Sequence, residues 1–114
     1  MAGITAYGAY VPRARLQRRA ISATLGAGGG KGTRAVASYD EDTTSMAVEA
    51  GRIALRGRDL ALDQLWFATA APAYLDKTNA TAVHAGLALG EQVLAADFGG
   101  AVRSGVRKDR KSVV

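Results

Sequence analysis

The chain has 114 residues, of which 48% are hydrophobic, and it carries fourteen glycines, no cysteine and a formal net charge of +5. This length holds one small domain with a modest core, and the apolar content and lack of cysteine exclude a disordered polymer, disulfides and thiolate metal sites. No apolar run reaches the roughly 18 residues of a membrane span and the first residues lack a signal-peptide pattern, so a cytoplasmic protein without a membrane partner is expected.

The first part of the chain predicts one strand, one helix and a loop. Residues 4–11 form a short apolar run rich in β-formers that ends at Pro12, as in a strand buried on both faces. Residues 15–25 place apolar side chains at helical spacing and stop at Gly26. Residues 26–38 are rich in glycine and predict a mobile surface loop.

The rest of the chain predicts two helices and two strands. Residues 40–42 are all acidic, and negative charge is favoured at the N-terminus of a helix. The helical spacing of the apolar residues that follow predicts a helix up to Gly57. Residues 64–70 and 93–98 resemble buried strands, and residues 79–89 resemble a helix between them. The predicted order is therefore β-α-α-β-α-β, typical of a layered α/β fold.

The net charge lies mostly in the tail. Residues 1–102 hold ten Lys or Arg against nine Asp or Glu, whereas residues 103–114 hold five against one. A nucleic-acid domain usually spreads cations over a folded face with aromatic residues between them, and this tail has no aromatic residue. We therefore expect no nucleic-acid partner. A small basic nucleic-acid binder is kept as an alternative to the function predicted below.

Several residues invite a functional interpretation that their context does not support. The run at 26–33 lacks the spacing and the preceding strand of a phosphate-binding loop. The carboxylates at 40–42 have no further ligand at metal spacing, so no metal site is predicted.

His84, the one histidine, lies in a predicted helix and is assigned a packing or surface role, and Asn79 begins that helix. Ser104 follows a strand and two glycines, the setting of a nucleophile at a strand-to-helix turn, but no base lies nearby.

Three blocks carry a resemblance to a known family. Residues 3–12 read GITAYGAYVP, residues 39–50 read YDEDTTSMAVEA and residues 74–80 read YLDKTNA. In this order they resemble the hydroxymethylglutaryl-CoA synthase family and, more broadly, the ketoacyl-ACP synthase III branch of the thiolase superfamily, from residue 2 to about residue 107. The resemblance implies the N-terminal part of a duplicated, layered α/β/α/β/α fold, incomplete in this chain and dimeric in the full-length parent.

The resemblance also implies a chemistry from which this sequence departs at two positions. Such enzymes take an acyl group from an acyl-CoA or acyl-carrier thioester onto a cysteine at the head of a helix, and need no bound cofactor. In this chain Val102 falls in the cysteine position and Ala70 in the position of an acid/base glutamate. Valine forms no thioester, so no catalytic residue is expected to be intact. Ser104 is the nearest replacement nucleophile.

The sequence therefore predicts a truncated acyl-CoA condensing enzyme that is inactive as 114 residues. The alternative is a non-catalytic acyl-CoA-binding or scaffold homologue. Residues 1–108 are expected to form a partial thiolase-like domain. Residues 109–114 resemble a reading frame of a common sequencing adapter and are expected to be an artefactual tail.

Overall fold

The structure, a computed structural model, describes residues 3–100. Within them the chain divides into two compact units, residues 11–41 and residues 3–10 with 42–100. The α/β class is confirmed, but the first third has one more strand than predicted. The elements are β1 (Ala14–Gln17), α1 (Arg18–Leu25), β2 (Thr33–Val36), α2 (Thr43–Leu55), β3 (Gln64–Ala68), α3 (Asn79–Gly86) and β4 (Leu94–Phe98).

The unit of residues 11–41 is an antiparallel strand pair with a helix between the strands. Strand β1 pairs with β2 in a register that sets Ala14 opposite Val36. The predicted helix is therefore wrong for its first turn, and the predicted loop is wrong for residues 33–36. Between them the glycine run lies close to α1. Gly29 donates to the Ser22 hydroxyl at 2.9 Å, and a Cβ on it would lie 1.9 Å from a backbone oxygen of α1.

The predicted first strand is wrong as a buried strand. Residues 4–11 form no strand, and the side chains of Ile4 and Tyr7 are each 89% exposed. The segment lies against α2 instead, because a Cβ on Gly8 would come within 2.6 Å of two backbone atoms of that helix. Arg58 also donates to the Thr5 carbonyl at 3.3 Å. A β-forming sequence needs a neighbouring strand to make a ladder, and residues 3–100 provide none for this segment.

Helix α2 begins where the sequence predicted. The Asp42 carboxylate accepts the Ser45 N–H at 2.7 Å, and the Ser45 hydroxyl accepts the Asp42 N–H at 2.9 Å, which is a reciprocal capping box. Asp40 and Glu41 do not cap the helix. Their carboxylates lie 2.7 Å and 2.6 Å from the Ser38 hydroxyl, so one of the three acidic residues explains the helix start.

Strands β3 and β4 are parallel neighbours, and α3 crosses between them. Their register sets Gln64 opposite Leu94 and Ala68 opposite Phe98. Helix α3 packs on both strands, and in the described residues the buried apolar side chains are Ala80, Val83 and Val93.

Helix α2 meets α3 through glycines. A Cβ on Gly86 would lie 2.7 Å from Val48, and one on Gly51 would lie 2.9 Å from Leu87. These close approaches pack α2 on α3, the helix that packs on the sheet. Within the described part of the chain, no helix has the length and apolar character to span a membrane.

Candidate functional site

The candidate site lies at the carboxyl ends of β3 and β4. The ladder continues one step past the strands, because the Thr69 N–H donates to the Phe98 carbonyl at 3.1 Å. Beyond this point β3 turns into the loop that leads to α3, and β4 runs into Gly99 and Gly100. In open α/β sheets, ligands bind in the crevice outside the carboxyl ends of parallel strands. This edge of the sheet is therefore the candidate substrate-binding site.

Asp97 ties the end of β4 to the start of α3. Its two carboxylate oxygens accept the N–H groups of Asn79 at 2.7 Å and Ala80 at 2.6 Å. Thr78, the residue before the first turn of α3, makes no side-chain hydrogen bond that caps the helix. A carboxylate at this position satisfies two free donors and complements the positive end of the helix dipole. The helix start thus depends on a residue 17 to 18 positions further along the chain.

Asn79 closes the loop between β3 and α3. Its amide oxygen accepts the Tyr74 N–H and its amide nitrogen donates to the Tyr74 carbonyl, both at 2.9 Å. The residue is only 4% exposed. Its prediction as a helix start is confirmed, because α3 begins at Asn79. Together with Asp97, it fixes the loop wall against the end of the sheet.

A shallow cleft of about 190 Å³ lies between this loop and the strand ends. Most of its wall is apolar or aromatic. Phe98 also packs against Trp66 with the rings tilted by 57° and their centroids 5.7 Å apart. The Lys77 ammonium lies 3.9 Å from the centroid of the Tyr74 ring. The lining residues that bear on its chemistry are Phe67, Thr69, Tyr74, Lys77, Asp97 and Phe98.

Ala70 is the first exposed residue after β3, next to the cleft residue Thr69. The turn that holds it is fixed by Ala71, whose N–H donates to the Thr69 hydroxyl at 3.1 Å and whose carbonyl accepts from the Thr43 hydroxyl at 2.9 Å. A longer side chain at position 70 would start one residue after the cleft residue Thr69. The methyl group of alanine offers no group that could transfer a proton.

The other residues singled out from the sequence do not join this cleft. His84 lies toward the far end of α3, where its Nε2 atom is 3.1 Å from the Gly90 carbonyl oxygen, in keeping with a packing or surface role. Val102 and Ser104 lie outside the described residues. No group of three or more His, Asp or Glu side chains in the described ranges is arranged to hold a metal.

Sequence reasoning missed Asp97, Asn79 and Lys77 as site residues. A usable signal was present for Asp97, since an acidic residue at the carboxyl end of a predicted strand followed by two glycines is typical of a site edge. The pairing of Lys77 with Tyr74 had no such signal, because the two residues lie in an irregular loop.

Comparison with known proteins gives the chain two kinds of relative. In sequence it is 33% identical over 107 residues to the hydroxymethylglutaryl-CoA synthase of Thermococcus sibiricus, covering 90% of this chain and 31% of that protein. It is also 34% identical over 112 residues to the synthase of the same name from Methanocella arvoryzae, covering 90% and 32%. The chain thus spans about a third of the length of these relatives. No family model matches it.

In structure the chain is similar to β-ketoacyl-[acyl carrier protein] synthase III of Thermus thermophilus, with a TM-score of 0.83 and 27% identity over 98% of this chain and 37% of that one. OleA of Xanthomonas campestris has the same fold at 17% identity, with a TM-score of 0.80 over 96% of this chain and 36% of that one. The resemblance predicted from the three sequence blocks is therefore confirmed, and the chain has part of a thiolase-like fold.

Proposed function

We propose that this chain is part of an acyl-CoA condensing enzyme that forms carbon–carbon bonds on acyl thioesters, in the manner of hydroxymethylglutaryl-CoA synthase. The observation that carries the proposal is the similarity to those synthases along 90% of the chain, together with the matching fold of a ketoacyl synthase III. The acyl group of an acyl-CoA or acyl-carrier substrate would lie in the cleft at the ends of β3 and β4. The full-length parent would act as a homodimer.

The 114-residue chain is proposed to be inactive by itself. Ala70 supplies no acid or base in the position of the glutamate, and the resemblance puts Val102 where a cysteine would attack the thioester. The chain is also expected to be marginally stable, because large apolar side chains of the second unit, such as Leu75 at 93% and Leu94 at 68% exposure, have little cover. Calorimetry of the purified chain should show a broad transition of low enthalpy. A sharp transition like that of an ordinary domain would contradict the idea that the chain is an incomplete fold.

A second candidate function is non-catalytic binding of acyl-CoA, and the alanine at position 70 favours it. The two functions differ in whether the acyl group becomes attached to protein. In a condensing enzyme the thioester C–S bond breaks, a bond to a protein nucleophile forms, and CoA leaves as the thiol. Binding alone breaks no bond.

The test uses the full-length parent incubated with radiolabelled acetyl-CoA. Its coding sequence is obtained from the genomic DNA downstream of codon 108, which also tests whether residues 109–114 belong to the gene. Label that remains on the denatured parent supports the enzyme, and peptide mass spectrometry then shows whether Ser104 carries the acyl group. Absence of label together with saturable binding of acetyl-CoA would support the binding protein and contradict the condensing enzyme.

A further inference from the structure

Thr69 carries an uncharged hydrogen-bond donor on the wall of the cleft. The residue lines the cleft and is half-buried. Its hydroxyl oxygen accepts the Ala71 N–H at 3.1 Å, which leaves the hydroxyl proton to be donated. In the described part of the chain, no protein group accepts this proton. Its acceptor must therefore come from water or from a ligand in the cleft.

Two backbone contacts fix the position of this hydroxyl. The Thr69 N–H donates to the Phe98 carbonyl at 3.1 Å, which ties the residue to the end of β4. The Ala71 N–H holds the hydroxyl oxygen itself. Threonine is also β-branched, so few rotamers are open to its side chain. A donor that is fixed before the ligand arrives loses little conformational entropy on binding.

The other polar side chains of the cleft are less suited to bind an uncharged group. Lys77 and Asp97 are both exposed and opposite in charge, so the lining has no net charge. Both Asp97 oxygens and the Asn79 amide are already bonded to backbone groups. The Tyr74 side chain also ends in a hydroxyl, but it belongs to an irregular loop and is 39% exposed. Thr69 is therefore the donor that is both fixed and half-buried.

The remainder of the lining favours a short hydrocarbon chain. Phe67, Pro72, Leu75 and Phe98 contribute apolar surface to the cleft. Its volume of about 190 Å³ equals that of roughly six water molecules at about 30 Å³ each. This is room for an acyl group of a few carbon atoms and too little for the nucleotide part of CoA.

We propose that the Thr69 hydroxyl donates a hydrogen bond to the carbonyl oxygen of a short, uncharged acyl group bound in the cleft. This inference rests on the proposed function, because it assumes that the acyl group enters this cleft. It adds a binding residue that the family resemblance did not assign. The bond holds the acyl group in one orientation at the ends of β3 and β4.

The experiment titrates the ¹⁵N-labelled 114-residue chain with S-butyryl-N-acetylcysteamine and S-butyl-N-acetylcysteamine. The two compounds have the same length and no charge, and they differ only in that a CH₂ group replaces the thioester carbonyl. Binding is followed through the amide signals of Tyr74, Phe98 and Gly99 around the cleft, which report on the folded molecules alone. The measured quantity is the Kd of the thioether divided by the Kd of the thioester.

Thr69→Val removes the donor and keeps the branched shape. We expect it to lower this ratio about two- to tenfold, the range of one neutral hydrogen bond. Thr69→Ser keeps the hydroxyl and should keep the ratio. Thr69→Cys has the shape of the serine variant but only a weak S–H donor, so it should lose most of the ratio and repeats the test without a branched side chain. An unchanged ratio in the valine and cysteine variants overturns the proposal.

Two control variants separate the donor from its surroundings. Thr43→Val removes the hydroxyl that binds the Ala71 carbonyl at 2.9 Å, so it loosens the same turn without removing the donor. It should weaken both compounds equally and leave the ratio unchanged. Tyr74→Phe removes the other hydroxyl of the lining and should also leave the ratio unchanged. If either control lowers the ratio as much as Thr69→Val, the inference is wrong.

The outcomes also separate this inference from the proposed function. If both compounds bind at the cleft and the ratio does not depend on Thr69, the role of Thr69 is wrong and the cleft assignment stands. If neither compound moves the cleft signals, both the inference and the placement of the acyl group in this cleft are wrong.

Discussion

Replacement of Asp97 by alanine tests whether one carboxylate holds the site together. The change removes the acceptor of two N–H groups whose residues, Asn79 and Ala80, are 4% and 0% exposed. Loss of a side-chain cap costs about 0.5–2 kcal/mol, and hydrogen bonds to a charged group contribute about 1.5–3 kcal/mol each. Asp97 itself is exposed, so water replaces part of the lost interaction. We expect the free energy of unfolding to fall by about 2–3 kcal/mol.

Urea unfolding followed by tryptophan fluorescence measures this loss directly. Trp66 is the one tryptophan of the chain and packs on Phe98 at the end of β4, so its emission reports on the affected sheet. Asp97→Asn keeps one acceptor oxygen but turns an NH₂ group toward the second donor, and should lose about half as much. Asp76→Ala, an exposed change in the neighbouring loop, is the control and should stay within about 0.5 kcal/mol. The role of Asp97 as the link between β4 and α3 is refuted if Asp97→Ala lowers the midpoint no more than the control.

Two further predictions concern glycines at close approaches. Gly8→Ala should release residues 3–10 from α2, because the new Cβ would lie 2.6 Å from backbone atoms that cannot move aside. Limited proteolysis should then cut residues 3–10 faster than in the control Gly3→Ala, where the new Cβ meets nothing within 4 Å. Gly86→Ala should lower the free energy of unfolding by about 1–3 kcal/mol, because its Cβ would press on the stiff branched side chain of Val48 at 2.7 Å. Gly51→Ala meets the flexible tip of a leucine and gains up to about 1 kcal/mol of helix propensity, so the same urea titration should find it near neutral. A Gly86→Ala variant that is as stable as the unchanged chain would contradict the close packing of α2 on α3 at Val48.

The elements that the sequence predicted well are those with a local physical cause. The start of α2 follows from Asp42, whose side chain caps the helix within four residues. Strand β4 ends at the glycines that follow Phe98, and α3 begins at Asn79 as predicted. For α2 and β4 the determining residues lie within a few positions along the chain, so a pattern in the sequence predicts them. The start of α3 was also predicted, although the carboxylate that caps it belongs to Asp97, 17 to 18 positions further along the chain.

The elements that the sequence predicted wrongly depend on partners far along the chain. Residues 14–17 have helical spacing, but they pair with residues 33–36 across the glycine run, and the spacing of apolar residues holds no information about that pairing. Residues 4–11 have strand composition, but no described strand lies beside them. Tertiary context decides both outcomes over local propensity.

The candidate site could be predicted from the sequence only in part. Ala70 was assigned to the glutamate position by resemblance, and in the structure it follows the cleft residue Thr69. The link from Asp97 to Asn79 could not be predicted, because it requires that β4 lie beside β3 with α3 crossing between them. Once the parallel pairing is known, the two residues must meet at the same edge.

The polar side chains of the cleft mainly hydrogen-bond to the backbone around it. The Asp97 carboxylate and the Asn79 amide are each engaged by two backbone groups, and the Thr69 hydroxyl accepts one. A general base must have a lone pair directed at the substrate, and a nucleophile must be free to attack it. Groups that hold the backbone in this way are poorly placed to take over either role. Lys77 and Asp97 are the charged residues of the described cleft lining. We therefore expect a thioester reaction on this scaffold to draw its nucleophile and its base from outside residues 3–100.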